Sequence, residues 1–263
     1  MASLLVCPPD YFTVAYEINP WMHLQKKVRQ GKAAIQWKAL EEIYRKLRVT
    51  LKVVRPVKGL PDMVFTANAG LVKGKIFIPS RFRHKERQGE EKYFIQWFKR
   101  NGYTVKLLPE GSVFEGAGDA LFLDDTLFAG YHFRSDIHSH REVAKILPKV
   151  PVLSLELVDR RFYHLDTCFC PLGDGAAFYY PGAFDSYARK VLKENVKDLI
   201  EVAENEAIRF ACNAVVVGKQ VVMNSGCPKI TRDLAKRGYT VHPSDTSEFM
   251  KAGGSAKCLT IRL

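Results

Sequence analysis

Four short segments of the chain combine polar or ionisable side chains with glycine turns or strand ends. They are 61–70 (PDMVFTANAG), 114–120 (FEGAGDA), 163–167 (YHLDT) and 251–260 (KAGGSAKCLT). Small residues let a ligand or a second backbone approach closely. Because the segments lie in different parts of the chain, we predict that folding brings them together at one site.

Cys258 is the candidate nucleophile. It follows the Gly253-Gly254 turn and precedes a stretch typical of a strand. Exposed at a strand end, beside backbone N–H groups and Lys257, a thiol would have a lowered pKa and a raised thiolate fraction. The commoner fate of a cysteine is burial as a small apolar side chain.

His164 is the candidate proton-transfer partner of the thiolate. In an extended His164-Leu165-Asp166 segment, the first and third side chains point the same way, so Asp166 would orient the imidazole or bind a cation beside it. The alternative is a hydrogen-bonded surface pair.

Glu115 supplies a second carboxylate, before the glycine-rich turn 116–118 and close to Asp119. A planar guanidinium can donate paired hydrogen bonds to each of two carboxylates. Glu115 and Asp166 would then neutralise and orient such a cation and leave its carbon open to Cys258. The alternative is an acidic surface turn.

Metal and phosphate sites are the competing interpretations. Cys168-x-Cys170 with Cys212 or Cys227 does not have the spacing of a Cys-x-x-Cys zinc site, and Phe169 between the first two is typical of a core. The glycine-rich turn lacks the Lys-Ser/Thr ending of a phosphate loop. We therefore expect no metal and no cofactor.

The chemical segments fall at the turns of a repeating unit. The order hairpin, helix, strand recurs four or five times, and a period of about 50 residues is typical of units arranged around an axis or in an array. Helices are predicted over residues 34–48, 89–101, 137–147, 184–195 and 228–237. Strands are predicted at 48–54, 71–72, 76–78, 104–108, 120–123, 127–129, 152–157, 167–172, 176–180, 199–203, 213–217, 220–223 and 239–242. The last strand, 257–262, is predicted to pair with 4–7.

Composition sets the broad class of protein. The 263 residues carry a net charge of +12, from 40 basic and 28 acidic side chains, and 47% are hydrophobic. The basic residues are scattered, which favours a solvated surface over a nucleic-acid site. No signal peptide or membrane-length apolar run is apparent. We therefore expect a cytoplasmic protein with its six cysteines as thiols.

Together, Glu-Gly-x-Gly-Asp at 115–119, His-Leu-Asp at 164–166 and Gly-Gly-x-x-x-Cys at 253–258 resemble the guanidine-modifying, or amidinotransferase, superfamily. The longer matches are similar to the arginine dihydrolase group, which is related to the dimethylarginine dimethylaminohydrolases. These matches cover 7–10, 17–22, 61–72, 114–121, 162–172 and 249–259. The resemblance implies a pentein α/β propeller, with five ββαβ units around a pseudo-fivefold axis, formed by residues 1–263 as a single domain.

The resemblance also implies residue roles. Cys258 would be the nucleophile and His164 the general acid and then the general base. Glu115 belongs to the catalytic group and, with Asp166, resembles the carboxylates that hold the guanidinium. The amides of Asn19 and Asn68 would contact the substrate. The candidates for its α-carboxylate are Arg87 and Arg134, with Arg81 as a rival.

The amide of Asn68 bears on whether the end product is citrulline or ornithine. Arginine deiminases have an aspartate at this position, whereas an amide both donates and accepts and can hold a neutral ureido group. We therefore expect arginine to give ornithine, carbon dioxide and two ammonia. Open alternatives are citrulline as end product, hydrolysis of methylated arginine and amidino transfer to an amine. A possible homo-oligomer is also left open.

A different class is a non-catalytic, RNA- or ribosome-binding pentein. Such proteins lack the cysteine and histidine, and this chain has both Cys258 and His164. We therefore expect a small guanidino substrate as the ligand, and neither nucleic acid nor membrane as a partner.

Overall fold

The computed structural model describes residues 2–263 and contains five three-stranded sheets. The strands are β1 (Ser3–Val6), β2 (Thr50–Val53), β3 (Gly70–Lys73), β4 (Ile76–Pro79), β5 (Thr104–Val105), β6 (Ala120–Leu123), β7 (Thr126–Tyr131), β8 (Val152–Glu156), β9 (Phe169–Gly173), β10 (Ala176–Tyr179), β11 (Asp198–Glu201), β12 (Val215–Val217), β13 (Gln220–Asn224), β14 (Thr240–Ser244) and β15 (Ile261–Arg262). The helices are α1 (Gln30–Lys46), α2 (Lys85–Gln88), α3 (Glu91–Arg100), α4 (Ile137–Ile146), α5 (Ser186–Asn195), α6 (Glu204–Ala207) and α7 (Pro228–Ala235).

Every sheet has the same topology. Two strands form an antiparallel pair, and a third strand returns through a helix to pair parallel with the middle one. In the third unit, β6 pairs antiparallel with β7, α4 crosses over, and β8 pairs parallel with β7. The predicted ββαβ unit is therefore confirmed and occurs five times.

The first unit is built from both ends of the chain. β15 pairs antiparallel with β1, opposite Leu4 and Leu5, and β2 pairs parallel with β1. This pairing confirms the predicted contact between the first and last strands. It also places the turn before β15, which carries Cys258, next to the N-terminal unit.

Several predicted boundaries are wrong. The last strand does not begin at 257, because residues 255–260 close local turns in which the Leu259 and Thr260 N–H groups donate to Ser255 and Lys257 carbonyls at 3.2 and 3.0 Å. A backbone that hydrogen-bonds locally cannot continue a ladder. Similarly, α1 begins at Gln30 rather than at 34, and β5 spans two residues.

The segment 162–169 is fixed by a core beneath it. Phe162, Leu165, Cys168 and Phe169 belong to one buried cluster that extends over the third, fourth and fifth units. Full burial of each large apolar side chain stabilises the fold by about 1.5–3 kcal/mol. Because these residues anchor one side of the segment, its polar side chains are held on the other.

Among residues 2–263, no helix has the length and apolar character needed to cross a membrane.

Candidate active site

The four chemical segments meet through direct contacts. The Ala67 N–H donates to the Cys258 carbonyl at 3.1 Å, and Cys258 Sγ lies 3.4 Å from Asp166 Oδ2. Gly118 lies against the Asn68 amide and the His164 ring, and a Cβ at this glycine would collide with Asn68 Nδ2. The predicted convergence is thus confirmed, and the glycine is required for the close approach.

Cys258 is buried rather than exposed, with 2% of its surface accessible. Burial and the neighbouring Asp166 raise the pKa of its thiol well above the ordinary value, and Lys257 opposes this only weakly. The expectation of an exposed, low-pKa thiol is therefore wrong. Desolvation outweighs the basic neighbour because it acts on the thiolate directly.

His164 pairs with Glu115. The imidazole Nε2 lies 2.8 Å from Glu115 Oε2, and Nδ1 is buried without a partner among the described residues. The prediction that Asp166 is aligned with His164 in an extended segment is wrong, because Leu165–Thr167 forms a 3-10 turn. The turn sends the Asp166 side chain to Cys258 and leaves the imidazole to Glu115.

Glu115 lies between Arg134 and His164. Its Oε2 accepts from Arg134 Nη1 at 2.7 Å and contacts His164, while Oε1 accepts from the Arg83 backbone N–H at 3.3 Å. Burial alone would raise the pKa of this carboxyl, but Arg134 and then His164 hold the pKa well below its usual range. Glu115 is therefore an anion at neutral pH.

Asp166 has a different environment. Its carboxylate contacts the Cys258 thiol, and burial raises its pKa to about 6 against the opposing effect of Lys257. Lys257 itself donates to the Ala117 carbonyl at 3.2 Å. Asp166 therefore lacks a direct ion-pair partner among the described residues, and a bound cation would supply one.

The orientation of the Asn68 amide is set by Arg87. Arg87 Nη1 donates to Asn68 Oδ1 at 2.8 Å, which leaves the buried Nδ2 without a partner among the described residues. The same guanidinium binds both carboxylate oxygens of Glu90 at 2.9 and 2.8 Å. A free donor thus lies beside Gly118 and His164.

The arginine candidates differ in position. Arg87 and Arg134 are 2% and 3% exposed and lie over the rings of Phe82 and Tyr163 at 4.5 and 4.9 Å. Arg81 donates instead to the Leu108 carbonyl at 3.0 Å. Arg87 and Arg134 thus contact site residues, Asn68 and Glu115 respectively. Their role at the substrate α-carboxylate stays a prediction.

Asn19 contacts the loop that carries the cysteine. Its Nδ2 donates to the Ala252 carbonyl at 3.1 Å. The next residue, Gly253, has φ +84°, and a Cβ there would crowd Tyr163 Oη and Asn19 Oδ1. Asn19 therefore lies at the edge of the same site, and its contact with substrate stays a prediction.

Two site residues were missed by the sequence reasoning. Asn213 donates to Cys258 Sγ at 3.0 Å. Asp62 is buried beside Arg87, and its Oδ1 has no hydrogen-bond partner among residues 2–263. The repeat offered a signal for the first, because Asn213 precedes β12 by two residues just as Asn68 precedes β3. Asp62 lies in a 3-10 turn that no periodicity marks.

Within residues 2–263, no three His, Cys, Asp or Glu side chains gather as a set of metal ligands.

Comparison with known proteins places this arrangement in a family. The family model for N,N dimethylarginine dimethylhydrolase of eukaryotic type matches residues 8–263. The bifunctional arginine dihydrolase/ornithine cyclodeaminase ArgZ of Synechocystis is 50% identical over 99% of the chain, which spans 37% of that protein. The dimethylarginine dimethylaminohydrolase of Mycobacterium tuberculosis is 40% identical over 97% of the chain and 84% of its own length.

Solved structures of related proteins have the same fold as this chain. The N-terminal domain of ArgZ, a cysteine-to-serine mutant bound to substrate, superposes with a TM-score of 0.96 at 49% identity and covers 100% of this chain and 98% of that one. The Pseudomonas aeruginosa dimethylarginine dimethylaminohydrolase, at 22% identity and a TM-score of 0.84, shares the fold. These matches confirm the predicted α/β-propeller fold. The chain therefore belongs to the eukaryotic-type N,N-dimethylarginine dimethylhydrolase family, inside the superfamily that the motifs predicted.

Proposed function

We propose that this chain is a guanidino hydrolase that converts arginine to ornithine, carbon dioxide and two ammonia, with Cys258 as nucleophile. The observation that carries the dihydrolase assignment is the orientation of Asn68, whose acceptor is occupied by Arg87 while its donor is free. Similarity to the arginine dihydrolase domain of ArgZ supports it. We also propose that residues 1–263 form one catalytic domain that acts in the cytoplasm.

Substrate binding would activate the nucleophile. Burial and Asp166 raise the pKa of the Cys258 thiol. A guanidinium placed against Asp166 neutralises this carboxylate and lies next to the sulfur. Because a nearby cation favours the charged form of a thiol, the thiolate forms when its target is bound.

The first round gives citrulline. The Cys258 thiolate forms a bond to the guanidinium carbon, one C–N bond breaks, and His164 gives a proton to the departing ammonia. His164 then takes a proton from water, whose oxygen bonds to the carbon as the C–S bond breaks. Glu115, hydrogen-bonded to Nε2, holds the imidazole in position and balances its charge.

The second round acts on the ureido group of citrulline. A ureido oxygen is an acceptor, whereas a guanidinium has donors only. The free Asn68 Nδ2 suits the former, and an aspartate in its place would not. Thiolate attack on the ureido carbon releases the second ammonia. Hydrolysis of the resulting thiocarbamate gives a carbamate that separates into ornithine and carbon dioxide.

A second candidate is hydrolysis of dimethylarginine to citrulline and dimethylamine. It is favoured by the description of the matching family and by the Mycobacterium tuberculosis relative. The same nucleophile and acid would serve, since only the leaving amine differs.

The test is a product assay with arginine labelled in the guanidino nitrogens. We expect labelled ammonia and ornithine in a ratio of two to one from the wild type. Cys258→Ser should give no product, and Asn68→Asp should shift the end product toward citrulline. Dimethylarginine is run in parallel. Citrulline alone from the wild type would contradict the dihydrolase assignment, and turnover by Cys258→Ser would contradict the nucleophile.

A further inference from the structure

Asn213 is a fully buried amide at the nucleophile that the mechanism above does not use. It lies in the turn before β12, and none of its surface is accessible. Its side chain makes four hydrogen bonds. Nδ2 donates to Cys258 Sγ and to the Asp166 carbonyl, both at 3.0 Å, and Oδ1 accepts from the backbone N–H groups of Ser255 and Cys258 at 3.0 and 3.1 Å.

These partners leave the amide one orientation. Backbone N–H groups can only donate, so the oxygen of Asn213 must face Ser255 and Cys258. The nitrogen therefore faces the Asp166 carbonyl and the sulfur. One of its hydrogens goes to the carbonyl, and the other points at Sγ. Rotating the amide would oppose donor to donor at the two backbone N–H groups and acceptor to acceptor at the Asp166 carbonyl.

The sulfur of Cys258 consequently lies between a donor and an acceptor. Asp166 Oδ2 at 3.4 Å is placed to accept the thiol proton, and Asn213 Nδ2 is placed to donate to the sulfur. When a guanidinium engages Asp166, the thiol loses its acceptor and keeps its donor. A hydrogen bond to the charged form favours that form, so the proton leaves the sulfur for solvent.

We propose that Asn213 is a positioning residue that aims the Cys258 sulfur and stabilises its thiolate through Nδ2, while Oδ1 anchors the 255–258 turn. The proposal rests on the nucleophilic role of Cys258. It does not depend on which guanidine is the substrate. Among the groups that lower the pKa of this thiol, Asn213 acts alongside the Ser255 backbone N–H.

The experiment measures the ionisation of Cys258 without turnover. Alkylation by iodoacetamide is followed against pH, and peptide mass mapping separates Cys258 from the other five cysteines, which are also buried. Asn213→Ala removes the donor and the anchor. Asn213→Asp keeps an oxygen for the two backbone N–H groups, removes the donor to sulfur and places a carboxylate beside it. It therefore keeps the anchor while replacing a group that favours the thiolate by one that disfavours it.

Asn224 supplies a matched control. It is 5% exposed, and its Nδ2 donates to the Arg209 carbonyl and to a sulfur, Met250 Sδ, at 2.9 and 3.3 Å. Its Oδ1 accepts from the N–H and hydroxyl of Thr246. Asn224→Ala therefore deletes a similar set of bonds without touching Cys258.

Asn213→Ala and Asn213→Asp should both raise the thiol pKa and lower alkylation at pH 8 about 10- to 100-fold, as expected for loss of a hydrogen bond to a charged group. Turnover should fall in kcat more than in KM. Asn224→Ala should leave the alkylation profile of Cys258 unchanged at a comparable loss of thermal stability.

A wild-type thiol pKa in Asn213→Asp, together with a raised pKa in Asn213→Ala, would reduce the residue to a loop anchor and overturn the proposal. An unchanged pKa in both would overturn it as well. Turnover by Cys258→Ser would instead show that the proposed function is at fault.

Discussion

The two candidate carboxylates of the site have the same burial and opposite surroundings. Glu115 and Asp166 both have no accessible surface. Glu115 contacts Arg134 and His164, which hold its pKa well below the usual range. The Asp166 carboxylate contacts the Cys258 thiol, and burial raises its pKa to about 6. Glu115 is thus paired with cationic Arg134, whereas Asp166 has no direct ion-pair partner among the described residues.

The difference between the two carboxylates affects the stability of the fold and the binding of a ligand in different ways. A buried charge that is paired and hydrogen-bonded is tolerated, whereas an unpaired one costs several kcal/mol. Asp166 has no direct ion-pair partner in the described part of the chain, and a guanidinium substrate would supply one. The site therefore favours a cationic ligand at the carboxylate nearest to the nucleophile.

Of the two carboxylate variants, Asp166→Asn should have the larger effect on catalysis. Removing the charge that pairs with the guanidinium should lower kcat/KM about 1000-fold, since loss of one partner of a buried pair costs about 3–5 kcal/mol. Glu115→Gln, which leaves the guanidinium its partner at Asp166, should lower kcat/KM about 100-fold through misplacement of His164. Steady-state kinetics with arginine checks this order. A larger loss in Glu115→Gln would break the comparison.

The same two variants should change stability in opposite directions. Glu115→Gln leaves Arg134 buried without its anion and should lower the free energy of unfolding by about 3 kcal/mol. Asp166→Asn removes a charge with no direct counter-ion and should raise it by about 1–2 kcal/mol. Chemical denaturation at pH 8 measures both.

The gain from Asp166→Asn has a defined pH dependence. Burial raises the folded-state pKa of Asp166 from the ordinary 3.8 to about 6, so the native state binds this proton more tightly than the unfolded chain. Wild-type stability from this group falls as pH rises from about 4 to about 6. The advantage of the variant should be full above pH 6 and absent near pH 4. An equal advantage at both ends would contradict the assignment.

The pH dependence of kcat/KM should also report the ionisation of Asp166. Because the cation binds the ionised Asp166, kcat/KM should fall about tenfold per unit as pH drops below about 6. Asp119, whose pKa burial also raises to about 6, instead binds Ser135 and the Leu165 N–H. The acid limb should therefore disappear in Asp166→Asn. Persistence of the limb in that variant would assign it elsewhere.

The smallest effect should come from Arg81→Ala. Its guanidinium donates to the Leu108 carbonyl and contacts neither carboxylate nor Asn68. We expect kcat/KM to change no more than about twofold, as for substitutions away from a network. A loss as large as that of Arg87→Ala would restore Arg81 as a carboxylate ligand.

The sequence predicted the fold well because each unit is specified locally. Hairpin turns, amphipathic helices and β-branched strands carry their signals within a few residues, as at 71–78 and 120–129. The contact between the chain ends was predictable from the repeat count. The start of the final strand was not predictable, because Asn213 from another unit holds the turns at 255–260.

The sequence predicted which residues form the site better than it predicted which of their side chains contact each other. Cys258, His164, Glu115 and Asp166 were named from type and spacing, and the structure brings them together. Which carboxylate faces which partner depends on the 3-10 turn at Leu165–Thr167, a tertiary outcome of anchoring Leu165 and Cys168 in the core. The burial of Cys258 likewise follows from packing between units.

The most direct test of the central claim is to look for substrate covalently attached to Cys258. The protein is mixed with arginine, quenched in acid within the first turnover and analysed by intact mass and peptide mapping. We predict an adduct on the peptide that contains Cys258, with the mass of arginine minus ammonia, and none in Cys258→Ser. Turnover with no adduct at any quench time, together with full activity in Cys258→Ser, would contradict the account.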